Sequence, residues 1–81
     1  METKLAVIAI VVENPDSIEA LNSLLHDYGS YIIGRMGVPY HAKNVNLISI
    51  AIDAPMDAIS SLAGKIGRLS GVSAKVAYSK M

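Results

Sequence analysis

From Leu5 to Val12 the chain reads LAVIAIVV, an unbroken apolar run made mostly of β-branched residues and alanine. A short run of this kind, with no polar residue at any period, is the pattern of a strand covered on both faces and therefore central in its sheet. Successive strand residues point to opposite sides, so Leu5, Val7, Ala9 and Val11 cannot share a face with Ala6, Ile8, Ile10 and Val12. If helices cover one set, something else must cover the other. The run follows a single lysine, as a signal peptide would, but it is short and stops at Glu13 and Pro15 with no small-residue cleavage motif.

The remainder alternates between the helical and the strand period. In ENPDSIEALNSLLHDYG, Asn14 is the predicted N-cap and Pro15 the first helical residue, with Asp16 and Glu19 near the positive end of the helix. Ile18, Leu21, Leu25 and Tyr28 recur at helical spacing, and Gly29 is expected to end the helix in a left-handed cap. SYIIGRMGVPY reads as a second strand running into a turn. NVNLISIAID is a third, with Ile48, Ile50 and Ile52 opposite Leu47, Ser49 and Ala51. A second helix starts near Pro55, carries Ala58, Ile59, Leu62, Ile66 and Leu69 on one stripe and is closed by Gly71; VSAKVAYS is the fourth strand. The order βαββαβ defines a single α+β, ferredoxin-like domain over residues 1–81, its four-stranded antiparallel sheet carrying both helices on one face. The other face is left open.

Eighty-one residues bury only about 60–65% of the surface an unfolded chain exposes. With 52% hydrophobic residues and a mean hydropathy of +0.41, this chain holds more apolar surface than two helices can hide. A homo-oligomer, dimer or tetramer, built through the open sheet face and the sheet edges is the expected outlet. Seven basic and seven acidic residues cancel without any run of like charge, which argues against direct nucleic-acid or membrane binding. There is no cysteine, so disulfides, thiolate nucleophiles and cysteine-based metal sites are excluded, and a cytoplasmic location is expected. The central strands carry aliphatic, alanine and serine side chains, with no phenylalanine or tryptophan in the chain, so the open face suits protein docking rather than the base stacking of an RNA-recognition sheet.

No catalytic or metal constellation emerges. His26 falls about 120° from the centre of the apolar stripe and is expected to face solvent, while His41 belongs to a loop. Ser17, Ser23, Ser30, Ser60 and Ser61 have no expected base in reach. The segment VENPDS lacks the arginine and glycines with which an acyl-phosphate hydrolase of this topology would hold phosphate. An enzymatic reading would have to rest on His41 with Tyr40 and Arg35.

Two stretches stand out as ligand or interface candidates. In YIIGRMGVPYHAKN, Gly34 suggests a bulge and Gly37 a positive φ at the turn. Arg35 and Tyr40 either clamp an anionic or planar ligand, or serve an oligomer contact and cover the sheet edge. In AGKIGR, Gly64 and Gly67 lie away from the apolar stripe, at about 1 kcal/mol each relative to alanine. Either a backbone or ligand approaches there, flanked by Lys65 and Arg68, or the last turn is weakly formed.

Four segments carry a resemblance: Val12–Asn14 (VEN), 24–40 (LLHDYGSYIIGRMGVPY), 52–55 (IDAP) and 64–80 (GKIGRLSGVSAKVAYSK). Through them the chain resembles the small, stand-alone iron-only hydrogenase system regulator family, ACT-like domains similar to the C-terminal domain of nickel-responsive regulators. The resemblance implies an ACT-like version of the ferredoxin-like fold, a regulatory role, an oligomer built through the sheets and no intrinsic enzyme activity. It names no cofactor. The loop ENPDS lacks the glycine that amino-acid-binding ACT domains often place before the first helix, and the nickel regulators' histidine and cysteine set is missing. The resulting expectation is an effector-sensing oligomeric module acting without its own DNA-binding domain. The alternative is a pure interaction module that docks a hydrogenase-maturation partner and binds no small molecule.

Overall fold

The structure, a computed structural model, describes residues 2–80. Four strands, β1 (Lys4–Val12), β2 (Ile32–Tyr40), β3 (Val45–Ala54) and β4 (Val72–Tyr78), form one sheet in the order β2-β3-β1-β4. Every pairing is antiparallel, and β1 is central, with Ile8 opposite Ile50 on one side and Val76 on the other. The helices are α1 (Ile18–Asp27) and α2 (Met56–Gly67).

The even-numbered set of β1 faces the helices. Ala6, Ile8, Ile10 and Val12 are buried together with Ile48, Ile50, Ile52 and Ala54 of β3, Leu21 and Leu25 of α1, and Ile59, Leu62 and Ile66 of α2. Burying each of the larger side chains is worth about 1.5–3 kcal/mol against leaving it in water. The two helices, each apolar on one stripe, thus finish a core on one side of the sheet.

The start of α1 is capped as the sequence predicts, with one addition. Asn14 caps a short 3₁₀ turn, Pro15–Ser17, its side-chain oxygen accepting from the Asp16 backbone N–H at 3.0 Å, and the α-helix proper begins at Ile18. The same loop is stitched to the turn before β4. The Ser17 hydroxyl donates to the Ser70 carbonyl at 2.6 Å, Asn14 Nδ2 donates to Ser70 Oγ at 3.2 Å, and the Glu13 N–H donates to the Gly71 carbonyl at 2.7 Å. Gly71 has φ +67°, and a Cβ built there would lie 2.6 Å from the Cβ of Asn14. Glycine is required at that position both by backbone conformation and by space.

Two expectations about glycine fail. Gly29 does not close α1 in a left-handed conformation; α1 ends at Asp27 with Tyr28 (φ −100°) as its C-cap, and the chain continues through a 3₁₀ turn, Gly29–Tyr31. Gly37 has no positive φ, because β2 does not turn at GVPY but continues to Tyr40, with Gly37 paired to Ile48 in mid-strand. The turn is His41–Asn44, and the left-handed residue is Asn44 (φ 54°), whose short polar side chain tolerates that region. The irregularity expected at Gly34 is present as a register shift between Ile32 and Gly34.

Candidate functional site

The outer face of the sheet is apolar and uncovered. Leu5, Val7, Ala9 and Val11 of β1 align there with Leu47, Ser49 and Ala51 of β3, Met36 and Val38 of β2, and Ala77 of β4. Met36 is 68% exposed, Ile33 64%, Val38 53% and Leu47 44%. The middle of this face is floored by small side chains, Ala9, Ser49 and Ala51, while the large ones stand around it. Two shallow apolar depressions result, one lined by Leu5, Val7, Ile33, Ala51 and Ala77, the other by Val11, Met36, Val38 and Leu47. Lys75 pairs with Ala9 and so lies on this face at the β4 edge; Asp53, opposite Leu5, lies at one end of it.

The candidate residues of β2 separate across the sheet. Arg35 pairs with Ile50 and Gly37 with Ile48, which places both on the helix side, whereas Tyr40 pairs with Val45 on the outer side. Arg35 and Tyr40 therefore cannot clamp one ligand within a single chain, which corrects that expectation. Arg35 reaches instead to α1, donating to the Asn22 side-chain oxygen at 2.8 Å. His41 lies in the exposed turn beyond β2. A Cβ at Gly37 would meet only the Ile48 side chain at 3.8 Å, an ordinary contact, so nothing inside the chain demands a glycine there.

The second helix keeps both of its glycines inside the helix, which runs to Gly67. The close approach that they suggested is not made within the chain: a Cβ at Gly64 would meet only the Arg68 guanidinium at 3.9 Å, and at Gly67 nothing within 4 Å. Lys65 turns toward α1, where its ammonium donates to the Tyr28 hydroxyl at 3.0 Å and stands 5.3 Å from the ring centre. The same hydroxyl lies 3.2 Å from Ser61 Oγ. The hydrogen bond from Ser61, then that from Lys65, lower the Tyr28 phenol below the ordinary 10.0, against a smaller opposing effect of burial. Both partners favour the phenolate.

Sequence reasoning passed over Asn22, Tyr28 and Ser61 as polar partners. Asn22 and His26 are four residues apart on α1, a spacing that places two side chains on one helix face, and that was the available signal. His26 is exposed, as expected. With Arg35, Leu25, Gly29 and Ile32, these two residues line a groove between α1 and the β2 edge. Among the described residues no three histidine, aspartate or glutamate side chains gather where they could hold a metal ion, and no helix is long and apolar enough to cross a membrane.

A βαββαβ sheet with helices on one side and an unpartnered apolar face on the other defines an ACT-like module of the ferredoxin-like class. The family follows from the sequence over nearly the same span. Residues 4–76 match the TM1266-like family, whose description reads "Iron-only hydrogenase system regulator, putative", and the chain belongs to that family. The solved structure of the uncharacterized protein TM1266 from Thermotoga maritima is similar to it at 31% identity and TM-score 0.93, the match covering 98% of this chain and 100% of that one. A PII-like nitrogen regulatory protein, CPII of Thiomonas intermedia, solved with ADP, AMP and bicarbonate, is similar at TM-score 0.59 and 16% identity over 98% of this chain and 99% of that one. A formyltetrahydrofolate deformylase of Pseudomonas putida matches at TM-score 0.64 and 10% identity, over 89% of this chain and 28% of the enzyme. At those identities the last two share the fold alone. A search of curated proteins finds no match.

Proposed function

We propose that this protein is a non-enzymatic regulatory module of the iron-only hydrogenase system that works as a homo-oligomer, and that a small effector shifts the balance between assembly geometries. The observation that carries this reading is the uncovered outer face, on which Leu5, Val7, Ile33, Met36, Val38 and Leu47 stand around a floor of alanine and serine. An apolar face of that extent on an 81-residue chain calls for a cover.

A second copy is the occupant that the dimensions favour. Four strands about 4.8 Å apart and nine residues rising about 3.3 Å each give a projected footprint of roughly 570 Å². Side-chain relief raises the accessible area toward the roughly 800 Å² per partner of a stable interface. The small central residues permit two sheets to approach at about 10 Å, with the rim side chains of one copy entering the depressions of the other. Oligomer contacts at the sheet edge and at the Gly64–Arg68 helix face, with Lys65 and Arg68 flanking the bare backbone, extend the same reading.

The lack of convergent polar groups in the two outer depressions favours one rival, in which the same face docks a hydrogenase-maturation protein and no small molecule binds. Static light scattering combined with thermal-shift screening of organic acids, amino acids, nucleotides and divalent metals separates the two. An assembly whose melting temperature or mass responds to one ligand class supports the sensor. A monomer that responds to none supports the docking module.

A further inference from the structure

The helix layer is narrower than the sheet, and the mismatch leaves a groove with a chemistry of its own. α2 packs over β4 and α1 against α2, so the helix side of β2 beyond Ile32 is exposed. Between that strand and α1 lies a groove of about 370 Å³, lined by Asn22, Leu25, His26, Gly29, Ile32 and Arg35. Its polar side chains come from two directions. Asn22 and His26 stand one turn apart on α1, and Arg35 rises from β2 to meet them.

The Arg35 guanidinium is held rather than free, since one of its terminal nitrogens donates to the Asn22 oxygen at 2.8 Å. A single neutral acceptor satisfies one donor of a fork that carries five, so the guanidinium keeps its charge and its remaining N–H groups for a ligand. Asn22, with its oxygen engaged, offers its amide NH₂, and His26 offers a ring nitrogen. No carboxylate lines the groove; Glu19, one turn earlier on α1, is outside its walls. The floor is apolar, formed by Leu25 and Ile32, and Gly29 contributes bare backbone with open space where a Cβ would be. A fixed guanidinium with flanking donors matches a planar two-oxygen anion, and an apolar floor beside it suits a short hydrocarbon tail.

The geometry points to this groove as a binding site for a small organic carboxylate, its carboxyl group on Arg35, Asn22 and His26 and its apolar part over Leu25 and Ile32. The inference rests on the effector-sensing reading and supplies the ligand class. The groove opens beside the unpaired edge of β2, so a carboxylate held there sits where an edge contact between copies would cover it.

The test is isothermal titration of the intact protein with acetate, butyrate, hexanoate and inorganic phosphate, with light scattering on the same samples. Three variants accompany the wild type: Asn22→Asp, Arg35→Gln and Ser60→Ala. Asn22→Asp preserves the tether to Arg35 and the fold, and places a competing carboxylate beside the guanidinium. Wild type is expected to bind butyrate and hexanoate more tightly than acetate or phosphate. Asn22→Asp and Arg35→Gln are each expected to weaken that binding at least tenfold, while Ser60→Ala, exposed on α2 and outside the groove, leaves it unchanged. Equal affinity in wild type and Asn22→Asp, no binding of any carboxylate, or phosphate binding as tight as hexanoate would each overturn the assignment. An oligomer that persists without carboxylate binding removes this site and leaves the assembly reading standing; a monomer that binds hexanoate does the reverse.

Discussion

The two faces of β1 are made of nearly the same residue types and end in opposite surroundings. Ala6, Ile8, Ile10 and Val12 are sealed under α1 and α2, while Leu5 and Val7 are about two-fifths exposed on the other side. The difference lies in bulk and its placement. On the helix side, isoleucines fill the middle of the sheet at Ile8, Ile10, Ile48, Ile50 and Ile52; on the outer side the middle is Ala9, Ser49 and Ala51, with large residues around it. A helix layer needs protruding side chains to interdigitate with, whereas a second sheet packs closest over a low floor. The inner face is thus finished within the chain, while the outer face is left apolar and exposed.

Substitutions can break this contrast at points of decreasing size. Ile50→Ala, on the inner face, should cost about 2–5 kcal/mol of unfolding free energy in urea, since the side chain is fully buried and the cavity cannot collapse against helices. Gly71→Ala should cost about 1–3 kcal/mol in the same assay, because the new Cβ meets Asn14 and the left-handed backbone is unfavourable for alanine. Val7→Lys, on the outer face of the same strand, should leave the fold within about 1 kcal/mol by circular dichroism and urea while lowering the assembled mass. If Val7→Lys unfolds the chain as Ile50→Ala does, the two faces are not distinct in the way described.

The smallest effect is spectroscopic. Tyr28 should ionise below the ordinary 10.0 in an ultraviolet titration, and Ser61→Ala or Lys65→Met should move that transition back up. A phenol lowered in the folded state adds stability above its unfolded value, and that contribution is lost as pH falls through the folded value. Neither Ser61 nor Lys65 lies on the sheet, so these two variants change the titration and leave the balance of sheet faces untouched.

Much of this arrangement was legible in the sequence. The unbroken run of β1 announced a central strand with a second face to cover, and Asn14-Pro15 and the stripe Ile59, Leu62, Ile66 placed the helices. What the pattern could not decide was which set of β1 faces the helices, because both sets are apolar. The hairpin was misjudged for a different reason. An edge strand is hydrogen-bonded on one side and packs few side chains, so β2 accommodates Gly34, Gly37 and Pro39 that would punctuate a central strand, and the reversal falls instead on Asn44. The separation of Arg35 from Tyr40 was implicit in the two-residue period, since residues an odd number apart on a regular strand face opposite ways. Of the groove partners, His26 read as a solvent-facing helix residue and Asn22 drew no reading, and only the width of the sheet relative to the helix layer gives them a shared neighbour in Arg35.

Whether a second copy covers the outer sheet face is read from multi-angle light scattering of the wild-type protein and of Val7→Lys at micromolar concentration. The wild type is expected at no less than twice the 8.6 kDa of one chain, and the variant as a folded species of lower mass. A wild-type protein that runs as a soluble monomer, or a variant whose mass is unchanged, would contradict a second-copy cover.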